Sequence, residues 1–425
     1  MNTVFRFIMG LFQPSNYNLR NFAIFLIVLF NIQYIPLESR SGVSMVKVAV
    51  MAICPIVFFL KTFKLTKIFF WMAAYYGLVM LAAWMYPETF RASTVIYLAM
   101  FIFMFITFHN LIYIEEKFSY ELFLSVVKGL LMAFTICLIL QQISISLGRV
   151  QMPIINLTQV LERGIGANSL SFEPSSAART MAVLFLAMLR LYEIKFGHAP
   201  TVKELFLEAR WPLLGFLWSM LTMGSGTAFV ALALLAFYFI KRNYALTILP
   251  ILIITYFFIP YIDFAPLQRA YEAVNAAMTL DTDDIIETDS SAAVRIAPMI
   301  NTITNLDFMD FQTWFGHGID YGLSFTNAAE RMKNRMLGGI SEYGLLSFIV
   351  MQFVIFSCVI KKVISVETLL WIFLFGLTFA NISYTWGAMM IFATIRYFQI
   401  QDEQGLLEFD DEVDTEELNE EEEDA

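Results

Sequence analysis

Long runs of residues with almost no charge recur along this chain, and their length fixes its environment. An α-helix needs about 20 consecutive, mostly apolar residues to cross the hydrocarbon core of a bilayer. Residues 43–60, 68–86, 94–114 and 122–147 approach or reach that length, one directly after another. A water-soluble chain coats its surface with charge, about a quarter of its residues. Here 15% are charged and 59% hydrophobic, with 43 phenylalanines. Too few charges exist to cover a surface facing water, so the apolar exterior faces lipid and no water-soluble fold fits.

The same signal places candidate spans at 21–36, 43–60, 68–86, 94–114, 122–147, 177–194, 211–223, 227–240, 244–262 and 340–360. The stretch 366–398 is long enough for two short helices hinged near Trp386-Gly387. The expected fold is all-α, a polytopic transmembrane helical bundle of about 12 spans. Its membrane domain covers residues 1–401, with a large extracytoplasmic loop, 263–339, between the ninth and tenth spans. Basic residues check the count, because short cytoplasmic loops retain Lys and Arg. With Arg6 and Arg20 inside, the inner connections hold Lys61, Lys64, Lys67, Lys117, Arg190, Lys195, Lys203, Arg210, Lys241, Arg242, Lys361 and Lys362. Both termini then come out cytoplasmic.

Net charge says little about substrate. Residues 402–425 hold 14 acidic side chains and no Lys or Arg, so the chain's −10 becomes +4 without them. That tail reads as a self-repelling, disordered cytoplasmic segment. Cys54, Cys137 and Cys358 lie inside apolar stretches without metal-binding spacing, so neither a disulfide nor a metal site is expected. The first apolar run lacks a small-residue cleavage site and is expected to stay as a span. Thr201 to Glu204 forms a capping box opening an interfacial helix before Trp211.

Two outer connections are long, 148–175 and 263–339, and long loops in compact proteins carry function. In the second, 266–280 reads as an amphipathic helix and 281–289 as an acidic turn. Ser290 or Ser291 can cap a following helix that carries Arg295. Both connections hold arginines where the topology rule disfavours them, among them Arg163, Arg179 and Arg295. They are either solvated charges or guanidinium forks for a phosphate or diphosphate. Glu173, before Pro174, suits a helix N-terminus, and equally a carboxylate that accepts a proton or orients a sugar hydroxyl. Arg179 at a span's outer edge needs a partner, either Glu173 or a ligand phosphate. His317, within Trp314-Phe-Gly-His-Gly318, and Glu342, within Gly339-Ile-Ser-Glu-Tyr-Gly344, are further proton-transfer candidates. Their simpler readings are a bystander in a tight turn and a helix cap. The turn Thr222-Met-Gly-Ser-Gly-Thr227 allows close helix approach, or lets Ser225 donate to a phosphate. No phosphate-binding or dinucleotide loop is present, so a transferred group comes from a donor already in the membrane.

Four of these segments, in order, resemble the superfamily of Wzy-type O-antigen polymerases and O-antigen ligases. They are Arg163-Gly to Glu173-Pro-Ser, Leu221-Thr-Met-Gly-Ser-Gly-Thr227, Arg295 with Trp314-Phe-Gly-His-Gly318, and Gly339-Ile-Ser-Glu-Tyr-Gly-Leu345. Gly226 stands where that family often carries a basic residue. The resemblance implies a GT-C-like glycosyltransferase of the bacterial inner membrane. Its donor is an oligosaccharide repeat on undecaprenyl diphosphate at the outer leaflet, destined for O-antigen, capsule or exopolysaccharide. It implies no cofactor, no metal and no nucleic acid, and as partners the lipid bilayer, a chain-length regulator and a flippase. On this pattern Arg295 and Arg163, with Arg179 and Ser225, hold the diphosphate. Arg295, Glu173, His317 and Glu342 form the catalytic set, the last three being candidates for the base. Polymerase and ligase are not separated by sequence. A flippase or other transporter has the same span number, but it would place charges near the midplane in two related halves.

Overall fold

A computed structural model describes residues 16–33, 44–149, 167–239, 257–262, 290–378 and 383–407, with isolated positions between 263 and 289. Among these residues the secondary structure is helical, without strands. The helices are α1 (Asn16–Asn31), α2 (Met45–Lys61), α3 (Lys67–Met85), α4 (Ala92–Tyr113), α5 (Tyr120–Ser146), α6 (Pro174–Phe196), α7 (Val202–Thr222) and α8 (Gly226–Phe239). They continue as α9 (Ser290–Asn305), α10 (Phe311–Phe315), α11 (Ala328–Lys333), α12 (Ile340–Val354), α13 (Val366–Phe375) and α14 (Ser383–Glu403). Four helical stretches, Lys67–Met85, Ala92–Tyr113, Tyr120–Ser146 and Leu337–Val359, are long and apolar enough to cross a membrane. Leu19–Asn31, Gly226–Phe239 and Val366–Phe375 are shorter apolar helices.

Two helices form the centre. Residues 181–189 of α6 and 385–395 of α14 are buried at every position, as suits helices apolar all round. The pair packs together, with α5, α7, α8 and α13 against α6, and α1 and α4 against α14. Rings lock the contacts: Phe185 stacks on Phe216 at 4.0 Å, and Trp386 on Phe101 at 5.4 Å. The peripheral helices turn Phe59, Phe70, Trp84 and Leu140 outward, the pattern of a lipid-facing surface.

Helix ends follow local chemistry. Ser44, Ser119 and Ser365 cap α2, α5 and α13, and Thr201 and Glu204 form the expected reciprocal box at the start of α7. The interfacial helix and the span after it are one element bent at Ala209. Pro212 denies the Glu208 carbonyl its helical donor, and the Tyr192 hydroxyl supplies one at 3.2 Å. At the opposite end of α6 from Pro174, the Arg190 guanidinium grips Glu367 of α13 through two bonds of 2.7 and 3.0 Å. It also reaches Glu193 at 2.6 Å.

Three features depart from the sequence reading. The break in 366–398 falls between α13 and α14, where Gly376 takes a positive φ of 60°, and Trp386-Gly387 lies inside α14. Gly387 is instead a contact residue, since a Cβ there would stand 2.8 Å from the Phe30 carbonyl. The first helix starts earlier, at Asn16 rather than 21. The second connection is helical over much of its described length, with α11 folded against α9 and α10 against α12. Asn301 of α9 donates to the carbonyls of Met332 and Arg335 at 2.9 and 3.0 Å. The amphipathic segment 266–280 and the acidic run 281–289 fall outside the described residues apart from isolated positions.

Candidate functional site

Two of the segments singled out by sequence cross each other at the head of α12. The His317 amide donates to the Ser341 carbonyl at 2.9 Å, and the Gly318 amide to the Glu342 carbonyl at 3.1 Å. The backbones approach so closely that a Cβ on Gly316 would overlap the Glu342 carbonyl, and one on Gly344 the Trp314 carbonyl. Both glycines also take positive φ, 78° and 81°. Gly344 interrupts the helix, so Glu342 and Tyr343 sit on a single turn ahead of the long apolar segment. Glu342 is thus more than a helix cap.

The crossing orients two titratable side chains. His317 Nδ1 lies 3.0 Å from the Ser341 carbonyl, which can only accept. Nδ1 therefore carries the hydrogen in the neutral ring, leaving Nε2 with its lone pair. The ring stacks on Tyr321 with centroids 4.5 Å apart. The Glu342 carboxylate lies beside Gly322, where a Cβ would stand 3.3 Å from Oε1, with Arg335 attracting it and Asp320 opposing it. Asp320 holds a left-handed backbone, φ 62°, and accepts from the Thr94 hydroxyl at 2.8 Å. The turn Tyr321–Leu323 is thereby fixed beside Glu342 by α4, a contact without a signature in the sequence.

The other predicted residues are not gathered at this crossing by any described contact. Glu173 is the exposed residue ahead of α6 and accepts from Ser175 at 3.3 Å. Arg179 forms no ion pair with a described residue. It donates to the Tyr384 hydroxyl at 2.6 Å and lies over that ring, so of the two partners expected for it, Glu173 is not the one it takes. Ser225 is buried in the turn between α7 and α8, where Gly224 takes φ 69°. Gln142 of α5 holds that turn, donating to the Thr222 hydroxyl at 2.8 Å, which supports close helix approach as its role. Arg295 lies on α9, and its side chain is outside the described residues, as is Arg163 altogether.

Sequence reasoning missed Lys47, which it left unremarked inside an apolar span. Its ammonium is buried at the start of α2, donating to the Ile32 carbonyl at 2.6 Å and the Ser383 hydroxyl at 3.1 Å. A lysine within an apolar run is itself the signal that could have found it. Ser383 and Tyr384 are neighbours on α14, so Lys47 and Arg179 are both anchored at the start of that helix.

The class defined by these features is an all-helical protein whose apolar helices suit a multi-pass membrane protein. Comparison of the chain with protein-family models, curated proteins and solved structures finds no match.

Proposed function

We propose that this chain is a bacterial inner-membrane glycosyltransferase that polymerises undecaprenyl-diphosphate-linked polysaccharide repeats at the outer face. On this reading about 12 spans cross the bilayer, the long apolar helices among them. The basic residues between them set both termini in the cytoplasm. The observation that carries the reading is the backbone crossing of 316–318 with 341–344, which joins two segments of the family-like pattern and presents Glu342 and His317 together at the head of α12.

The chemistry follows from those groups. A hydroxyl of the acceptor sugar attacks the anomeric carbon of the donor, forming a new C–O bond. The bond from that carbon to the phosphate oxygen breaks, and the lipid diphosphate leaves with the electron pair. The hydroxyl proton passes to the Glu342 carboxylate or to His317 Nε2. Guanidinium groups, Arg295 and Arg179 among them, stabilise the charge on the departing diphosphate.

The test is a strain lacking this protein, with its surface polysaccharide separated on a gel beside wild type. A single repeat on the lipid anchor is the expected result and means polymerase. Full-length chains held on undecaprenyl diphosphate would instead identify a ligase that transfers the chain to a lipid or protein acceptor. Repeats trapped on the cytoplasmic leaflet would identify a transporter and overturn the transferase reading.

A further inference from the structure

Three of the long apolar helices have an end at one place. Gly318 lies against Tyr86 and Thr89, just past the end of α3, where a Cβ on it would overlap both side chains. Asp320 accepts from Thr94 in the first turn of α4 at 2.8 Å, and the His317 amide donates to Ser341 in the first turn of α12 at 2.9 Å. All three helices belong to stretches long and apolar enough to cross a membrane. With these as spans, the bilayer boundary passes close to residues 317–320. Trp84 and Phe90, which flank the exit of α3, are exposed, as suits side chains in an interfacial aromatic belt.

Beside that boundary stands an apolar tip that the chain leaves bare. It leads into α10, which packs against α3 and α12. From the last turn of α9 onward, Ile303, Phe308, Met309 and Phe311 are exposed, Met309 by 94%. The backbone of the tip is held so as to present them. Asp307 accepts the Met309 amide at 2.9 Å, and Asp310 caps α10 through the Gln312 amide at 3.2 Å. The Trp314 indole donates to the Phe308 carbonyl at 2.9 Å, and Phe311 rests on Phe315 with centroids 4.6 Å apart. Clustered apolar side chains held outward in this way mark a surface that something apolar covers.

Two observations choose the cover. Through α3 the tip continues the lipid-facing exterior that ends in Trp84 and Phe90. Its four side chains also fall short of the roughly 800 Å² that each partner buries in a standard protein interface, whereas a bilayer surface accepts a small cluster. Charge plays no attractive part: residues 296–330 contain no Lys or Arg, and Asp307 and Asp310 flank Phe308-Met309. We infer that the tip 306–311, with Ile303, is an interfacial anchor seated among the headgroups and upper acyl chains of the outer leaflet, held by apolar contact alone. The choice of leaflet rests on the orientation proposed above. The anchor itself goes beyond the transferase reading and stands without it. Its consequence is that α10, and through it the crossing of 316–318 with 341–344, keeps a fixed depth at the membrane surface.

The experiment places a nitroxide on the full-length protein in zwitterionic nanodiscs, through Met309→Cys, through Ile303→Cys and, as a control on α11, through Glu330→Cys. All three side chains are exposed, so the substitutions leave the packing intact. The native chain, whose Cys54, Cys137 and Cys358 are buried, gives the unlabelled blank. Electron paramagnetic resonance then reads collisions with oxygen, which concentrates in the bilayer, and with a water-soluble nickel chelate. At 309 and 303 the ratio of oxygen to chelate collisions is expected to exceed that at 330 several-fold, and to be unchanged by added salt. A ratio at 309 equal to that at 330 places the tip in water and overturns the anchor. Low access of both reagents at 309 means that a second copy of the chain covers the tip, and overturns it equally. Retreat of the tip on adding salt overturns its apolar cause. The readout does not depend on polysaccharide synthesis, so the anchor and the transferase reading fail separately.

Discussion

At the scale of single residues, the crossing beside α12 makes the sharpest demands. Gly344 combines a positive φ with a backbone contact that leaves no room for a side chain. Gly344→Ala is expected to destabilise the fold by about 3 kcal/mol or more, since strain and overlap act together. The thermal midpoint of the detergent-purified protein reads this directly, and an unchanged midpoint would show that the crossing is not rigid. Glu342→Gln preserves shape and the Gly322 contact but cannot take a proton. It should abolish long polysaccharide chains at normal membrane levels. If chains keep their length, His317 is the base, and His317→Asn should then remove them. Arg295→Ala is likewise expected to eliminate long chains while the protein still accumulates, and normal chain length there removes Arg295 from the site.

Among elements, the join between α6 and α13 depends on one buried ion pair. Arg190 holds Glu367 through two bonds, and Glu367 is 5% exposed. Removing one partner strands the other charge, so Glu367→Ala is expected to destabilise by about 3 kcal/mol. Replacing both, as Arg190→Met with Glu367→Leu, should recover part of that loss, because the pair's desolvation penalty disappears while Glu193 loses its own bond to Arg190. A double-mutant cycle of thermal midpoints checks it, and additive losses would contradict the pairing. The bend in α7 is smaller in scale. Tyr192→Phe withdraws the donor that meets the Glu208 carbonyl and should lower stability by about 1 kcal/mol.

For the whole molecule, the proposed orientation rests on where Lys and Arg lie between helices. A fluorescent protein fused after Ala425 is expected to glow in the cytoplasm, and alkaline phosphatase at the same point to stay inactive. The opposite pair of signals would invert the bundle and move the Glu342 crossing to the cytoplasmic side. The acidic run begins at Asp402 in the last turn of α14, where Glu403 pairs with Lys361 at 2.6 Å. That contact sits on the side the basic residues assign to the cytoplasm.

The sequence by itself determined the helical class, the long apolar helices and most helix starts. Those depend on contiguous residues: a run's length, a serine or threonine before it, a glycine after it. It also marked Gly316, His317, Glu342 and Gly344 as unusual, because small residues and lone titratable groups stand out locally. Only the tertiary structure decided that these two segments touch, that Arg179 turns to Tyr384 instead of Glu173, and that Lys47 belongs with them. Each of those contacts joins residues tens to hundreds of positions apart. They are set by how helices pack, α6 on α14 for Arg179 and α10 on α12 for the crossing, and helix packing is a property of side-chain surfaces in three dimensions rather than of any window of sequence.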